Sequence, residues 1–150
     1  MKRREFVLAA SVAAALPAAA QNPRFQPAQD IAPLLDKLTG GARPEPGDIE
    51  IELPQIAENG HSVPMRVKVD HPMTPQDHVS AIHIIAERNP RPLVASFHLG
   101  PQSGRAEIST RVRLAGTQKV TVLAALSGNR FRIGHTEVLV TSAACLDESL

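Results

Sequence analysis

Residues 105–114 read RAEISTRVRL and alternate between two kinds of side chain along their whole length. Side chains of a β-strand point alternately to opposite faces, so this pattern predicts a strand with one face in a core. The inward positions are Ala106, Ile108, Thr110, Val112 and Leu114. Three arginines on the other face, Arg105, Arg111 and Arg113, are explained by exposure to solvent, although they could also contact an acidic partner protein.

The same period of two continues on both sides of this stretch, from residue 48 to residue 140. The segments that show it, separated by turn residues, are 48–54, 63–69, 81–88, 93–99, 105–114, 119–126 and 130–140. We therefore predict an all-β fold, an immunoglobulin-like antiparallel β-sandwich of about seven strands with one N-terminal helix. The chain has no Trp and no Cys pair, so the disulfide core of antibody domains is not expected.

A helix is predicted before the first strand, at about residues 30–39. Its leucines and one isoleucine follow helical spacing, Asp30 can cap its start, and Gly40-Gly41 can end it. The apolar positions are Ile31, Leu34, Leu35 and Leu38. The predicted organisation is a leader, helix and linker at 21–47, a β-sandwich at 48–141, and a tail at 142–150.

One hairpin can be aligned from the sequence alone. Strands 81–88 and 93–99 flank Asn89-Pro90-Arg91-Pro92, and a four-residue loop there would pair Ile84 with Phe97 and His83 with His98. The outward face of this hairpin is half apolar. We therefore expect the helix or a partner subunit to cover it.

Gly134 interrupts the last strand and predicts a β-bulge, which would let Ile133 and Val138 share a face. His135 lies next to this glycine. It is either an exposed strand residue or an imidazole near the start of the tail.

The first residues, MKRREFVLAASVAAALPAAAQ, have a basic start, a short apolar run and small residues before Gln21. This is the build of a secretory signal peptide, predicted at 1–20. Arg3-Arg4 followed by Phe6 favours a twin-arginine signal over an ordinary export signal, and both predict a bacterial periplasm. Removing the charged residues of this segment lowers the formal net charge from +1 to about −1, so neither nucleic acid nor a membrane surface is an expected partner.

Cys145 is the single cysteine of the chain and lies beyond the last predicted strand. It cannot form an internal disulfide, so it is an intermolecular disulfide partner, a reactive thiol or a bystander. A buried bystander is disfavoured because the flanking tail, with Asp147 and Glu148, has little to bury.

Histidines suggest a metal site only weakly. His83 and His98 are predicted to be cross-strand neighbours, but the pattern offers no third ligand, and His71 and His78 are interpreted as turn residues. We predict no metal site and no cofactor. No catalytic set of residues is visible either, so the chain is not expected to be an enzyme.

Three stretches resemble the SoxY family of thiosulfate oxidation. They contain LPQIAENG at 53–60, VPMRVKVDHPMT at 63–74 and STRVRLA at 109–115, and the similarity spans about residues 30–141. The resemblance implies an immunoglobulin-type sandwich that pairs with a SoxZ-like subunit as a heterodimer. It also implies that sulfur intermediates are carried covalently on a C-terminal cysteine and presented to Sox enzymes.

In the SoxY family that cysteine lies within Gly-Gly-Cys-Gly-Gly, and here only the cysteine matches, at Cys145. Ala143-Ala144 stiffen the approach, while Asp147 and Glu148 disfavour the thiolate. The first hypothesis is a periplasmic carrier of thiosulfate-derived intermediates attached to Cys145. The alternative is a non-carrying assembly subunit that pairs with a SoxZ-like partner, in which Cys145 forms at most a disulfide-linked dimer.

Overall fold

The computed structural model describes residues 27–142, which form one α-helix, one short 3-10 helix at Pro101–Ser103 and nine strands. The helix α1 is Ala32–Thr39. The strands are β1 Glu45–Pro46, β2 Ile49–Glu52, β3 Ile56–Ala57, β4 Val63–Val69, β5 Val79–Ala86, β6 Leu93–His98, β7 Ala106–Val112, β8 Gln118–Leu126 and β9 Arg130–Val140. All seven predicted strands are present. The two-residue strands β1 and β3 were not predicted.

The strands form two sheets packed as a sandwich, which confirms the predicted immunoglobulin-like fold. The larger sheet has the order β1-β9-β8-β5-β6, with β3 also paired to β9, and the smaller sheet has the order β2-β4-β7. The pairing is antiparallel except that β1 and β3 run parallel to β9. The core lies between the sheets, where Ile84, Val122 and Val67 are completely buried.

The chain is attached to the larger sheet on both sides of helix α1. Before the helix, the N–H of Gln29 donates to the carbonyl of Glu87, just after β5, and after the helix β1 pairs with β9. On the outer face between these two attachments, Ile85 and Leu123 are completely buried. The outer face is therefore covered around these two residues, and the prediction that the helix or a partner subunit covers it stays a prediction.

The β5–β6 hairpin differs from its predicted register by two residues. Ile84 pairs with Ala95 and His83 pairs with Ser96, and a bulge separates Ile84 from Ile85. Because the shift is even, the side chains from Ala81 to Ile84 and from Ala95 to His98 keep the faces predicted for them. Beyond the bulge the faces change, and Val94 packs against the core.

Asn89 explains the difference in register. Its side chain is buried, donates to the carbonyl of Arg113 (2.7 Å), and accepts from the N–H of Ala115 (2.9 Å) and from Gln118 Nε2 (3.1 Å). The hairpin loop is thus tied to the β7–β8 connection. It spans residues 87–92 instead of the predicted four, closed by a bond from the N–H of Ala86 to the carbonyl of Pro92.

Gly134 does not form the predicted bulge. Strand β9 pairs continuously with β8 through Gly134, opposite Val122. A Cβ at this position would lie 3.3 Å from the Cβ of Ile49, so the glycine permits strand β2 to pack closely on β9. The glycine therefore serves the contact between the two sheets.

Candidate functional site

Cys145, the predicted attachment site, lies outside the described residues, as does the predicted signal segment 1–20. The structure shows the segment from which the cysteine continues. We call residues 140–142, at the end of β9, the tail root. The geometry of the tail root decides how a thiol three residues further along the chain is presented.

Backbone and side-chain hydrogen bonds hold the tail root on both sides. The N–H of Val140 donates to Thr117 Oγ1 (2.9 Å), and the N–H of Thr141 donates to the carbonyl of Ala57 (3.0 Å). The carbonyl of Ser142 accepts from the N–H of Gly60 (2.8 Å). The tail root is therefore fixed to the domain as far as Ser142. Three residues of chain limit the Cα separation of Ser142 and Cys145 to about 11 Å.

Polar and charged groups surround the tail root. Thr141 Oγ1 donates to the carbonyl of Glu58 (3.0 Å), and Arg113 Nη2 lies 3.3 Å from Nδ1 of His61. His61 is thus the histidine beside the tail root. The sequence does not single out His61 for this position, because it follows Asn59-Gly60 in what looks like an ordinary turn.

His135, considered as a neighbour of the tail root, is not one. It pairs with Thr121 in the middle of β9 and lies five residues before Val140, about 16 Å along the strand. Of these two histidines, only His61 adjoins the tail root, through its neighbour Gly60.

Two exposed apolar side chains adjoin the tail root. Ile56 and Leu139 are paired neighbours on β3 and β9, and they are 62% and 49% exposed. Both are large and unusually open to solvent for a cross-strand apolar pair.

His83 and His98 are diagonal neighbours, not the predicted direct pair. His83 Nδ1 lies 2.8 Å from Ser96 Oγ, and the two imidazole rings meet edge to face with centroids 6.5 Å apart. Burial, and then the charge of His98, lower the pKa of His83. Residues 27–142 contain no group of three or more His, Cys, Asp or Glu side chains placed to hold a metal ion.

His71 and His78 hold the β4–β5 connection, in agreement with their interpretation as turn residues. His71 Nε2 lies 2.8 Å from Asp77 Oδ1, and the same carboxylate oxygen accepts from Arg130 (2.6 Å). His78 Nδ1 lies 3.1 Å from Ser127 Oγ. These contacts join the connection to the turn between β8 and β9.

Asp77 should make the protein less stable in acid. Its hydrogen bond with His71, and then the charges of His71 and Arg130, lower the pKa of its carboxyl group. A lowered pKa in the folded state stabilises the fold above the unfolded value near 4, and this stabilisation is lost as the pH falls through the folded value.

We expect Asp77→Asn to remove part of the pH dependence of the folding stability. Urea unfolding measured at about pH 7 and about pH 3 should show a smaller loss of stability in the variant than in the wild type. Asp70→Asn, at an exposed position in the same connection, is the control and should follow the wild type. Equal losses in Asp77→Asn and the wild type would contradict the role given to Asp77.

Comparison with known proteins identifies the family. The family model described as sulfur oxidation protein SoxY matches residues 35–145, most of the chain. This chain belongs to the SoxY family. The matched segment ends at Cys145, and its length agrees with the resemblance found in the sequence.

A solved SoxY structure has the same fold. The sulfur carrier protein SoxY from Chlorobium limicola f thiosulfatophilum is 30% identical, with a TM-score of 0.62, and the match covers 72% of this chain and 89% of that one. Membership of the SoxY family confirms the prediction that this chain is a carrier subunit and not an enzyme. No curated protein sequence matches the chain significantly.

Two superoxide reductases resemble this SoxY-family chain in fold alone. The protein from Ignicoccus hospitalis is 15% identical with a TM-score of 0.56, and the match covers 63% of this chain and 80% of that one. The putative enzyme from Thermotoga maritima is 18% identical with a TM-score of 0.53, and the match covers 65% and 87%. Among the described residues of this chain, no helix has the length and apolar character needed to cross a membrane.

Proposed function

We propose that this SoxY-family protein carries sulfur compounds in the periplasm. It binds thiosulfate-derived intermediates covalently through Cys145 and presents them to Sox enzymes. The observation that carries this proposal is the family match, which extends to Cys145, the single cysteine of the chain. The relative from Chlorobium, whose name describes it as a sulfur carrier protein, supports the same role.

The tail root suits this role because it ends the folded domain at a defined point. Its hydrogen bonds to Ala57, Gly60 and Thr117 fix the chain as far as Ser142. The attached group would then be offered at a limited distance from the domain surface, about 11 Å from Ser142 at the level of the Cα atoms. An enzyme can recognise the rigid surface while it acts on the thiol beyond it.

Attachment requires chemistry that this chain does not supply. Cys145 loses its proton, and its sulfur forms a bond to the outer sulfur of thiosulfate with release of an electron pair. A redox partner must accept that electron pair. The carrier therefore contributes the thiolate and the docking surfaces, while the Sox enzymes contribute the oxidation and the later cleavage.

The proposal includes a partner and an export route. A SoxZ-like subunit would form a heterodimer with the sandwich. The arginine pair Arg3-Arg4 supports a twin-arginine signal at 1–20, which exports folded proteins and would allow the partner to leave the cytoplasm with this chain.

A second candidate function is an assembly subunit without covalent carriage. The residues around Cys145 favour it, because alanines and Leu146 replace the glycines of the family's cysteine motif. In that case Cys145 would form a disulfide-linked dimer or remain unused, and the pairing with a SoxZ-like subunit would be the function.

Mass spectrometry of the tail peptide tests the carrier proposal. Protein purified from cells that oxidise thiosulfate should carry added sulfur or thiosulfonate on the peptide containing Cys145, and reduction should remove the addition. Protein from cells grown without a reduced sulfur compound is the control. A peptide that stays unmodified under both conditions would favour the assembly subunit.

A further inference from the structure

The smaller sheet has an open groove on its solvent-facing side. The groove has a volume of about 640 Å³ and lies where β2, β4 and β7 run side by side. Leu53, Pro54 and Pro64 form apolar walls. Arg66 and Arg111 supply positive charge, and Glu52 supplies one negative charge. Nothing in the proposed carrier function uses this groove.

The groove lies at the same end of the sandwich as the tail root. Arg111 pairs with Pro64 across β4 and β7, and its Nε donates to Ser62 Oγ (2.7 Å). Ser62 is two residues from Gly60, whose N–H holds the carbonyl of Ser142. These contacts define a short path over the domain surface, because two residues span at most about 7 Å.

The two arginines of the groove differ in their partners. Arg66 donates to Glu107 through Nε (2.8 Å) and Nη2 (2.5 Å), and its Nη1 lies 3.3 Å from Glu52. Arg111 forms no ion pair with any carboxylate of residues 27–142, so within that part of the chain its charge is not balanced. The groove can therefore accept an acidic group.

The segment beyond the cysteine, Leu146-Asp147-Glu148-Ser149-Leu150, has the matching composition. It holds two acids, no basic residue and two leucines. The acids complement Arg111, and the leucines complement the apolar walls. Asp147 is five residues beyond Ser142, a stretch that can span about 18 Å, so it can follow the path through Gly60 and Ser62 towards Arg111.

We propose that this groove is the docking site for residues 146–150, so that the acidic end of the tail binds the body of its own domain through Arg111. This inference rests on the carrier function, because it assigns a resting position to the segment that bears the attachment thiol. Docking would pair Asp147 and Glu148 with arginine. The negative charge that disfavours the thiolate of Cys145 would then be offset.

Docking of this kind has to be reversible. The groove is open and its charges are exposed, and exposed ion pairs are weak and screened by salt. A visiting enzyme can therefore displace the acidic segment and take up the thiol.

A spin label on Cys145 tests the docking, because the chain has no other cysteine. In the full-length labelled protein, NMR should show stronger paramagnetic broadening at the amides of Arg66 and Ser109, in the groove, than at that of Glu137 on the opposite sheet. Both Arg111→Gln and the double variant Asp147→Asn/Glu148→Gln should lose this preference, as should the wild type at high salt. Arg105→Gln, another exposed arginine beside β7, is the matched control and should keep it.

Two outcomes would overturn the docking proposal. Equal broadening on both sheets would show that the tail has no preferred site. Broadening that passes from labelled molecules to unlabelled, isotope-enriched ones would show that a second copy occupies the groove. The label blocks the thiol, so this experiment is independent of the mass spectrometry, and either proposal can fail without the other.

Discussion

Replacing Cys145 by Ser should abolish thiosulfate oxidation in a strain that has this protein as its single copy of the carrier. Serine differs from cysteine by one atom, but its hydroxyl is not ionised at neutral pH and cannot form a bond to sulfur that partner enzymes later cleave. The rate of thiosulfate consumption should fall to that of the deletion strain, while the amount of folded protein stays unchanged. If the protein is a non-carrying assembly subunit, Cys145→Ser should leave the rate of thiosulfate oxidation unchanged.

Moving the thiol to another position tests whether the cysteine has to lie beyond the tail root or only has to be present in the chain. In the Cys145→Ser background, Ser142→Cys places a thiol on the exposed tail root, whose carbonyl is held by Gly60. We expect this thiol to react with small alkylating reagents but to leave thiosulfate oxidation at background, because a side chain fixed to the domain surface cannot enter an active site. Restored oxidation in this variant would show that reach beyond the tail root is unnecessary.

Asn89→Ala should lower the free energy of unfolding by about 2–4 kcal/mol, since buried polar groups left without a partner cost about 1–3 kcal/mol each. The variant removes the acceptor for the N–H of Ala115 and for Gln118 Nε2, and the donor for the carbonyl of Arg113. Urea unfolding followed by circular dichroism measures the change.

Asn59→Ala is the matched control. Asn59 accepts a hydrogen bond from the N–H of His61 (2.8 Å), but it is exposed, so water can replace the lost contact. We expect a loss below about 1 kcal/mol for Asn59→Ala. Similar losses in both variants would mean that the buried bonds of Asn89 do not stabilise the hairpin more than a surface turn does.

The fold was largely predictable because its main strands alternate cleanly. Strand β4, VPMRVKV, buries Val63, Met65, Val67 and Val69 and exposes the residues between them, as its pattern requires. Helix α1 begins at Ala32, two residues later than predicted, and Asp30 accepts from the N–H of Ala32 at its start. Patterns that repeat over several residues specify the face of each side chain directly.

Single residues with long-range partners were not predictable. Asn89 looks like a loop residue in the sequence, but its partners lie 24 to 29 residues further along the chain and become neighbours only in the folded sandwich. Strands β1 and β3 have two residues each, too few to show any period. The contacts of the tail root with Gly60 and Thr117 are also long-range contacts that the sequence pattern does not reveal. The role of Cys145 stays a prediction.

Strands β1 and β3 also affect how molecules of this protein meet one another. An uncovered strand at the border of a sheet offers unpaired N–H and carbonyl groups and invites pairing with other chains. Both short strands lie along the border of β9, next to Arg132 and Leu139. Two brief pairings thereby shield two parts of the strand that leads to the thiol from pairing with other chains, including its end. Crowding between carrier molecules at that end would bring their cysteines together.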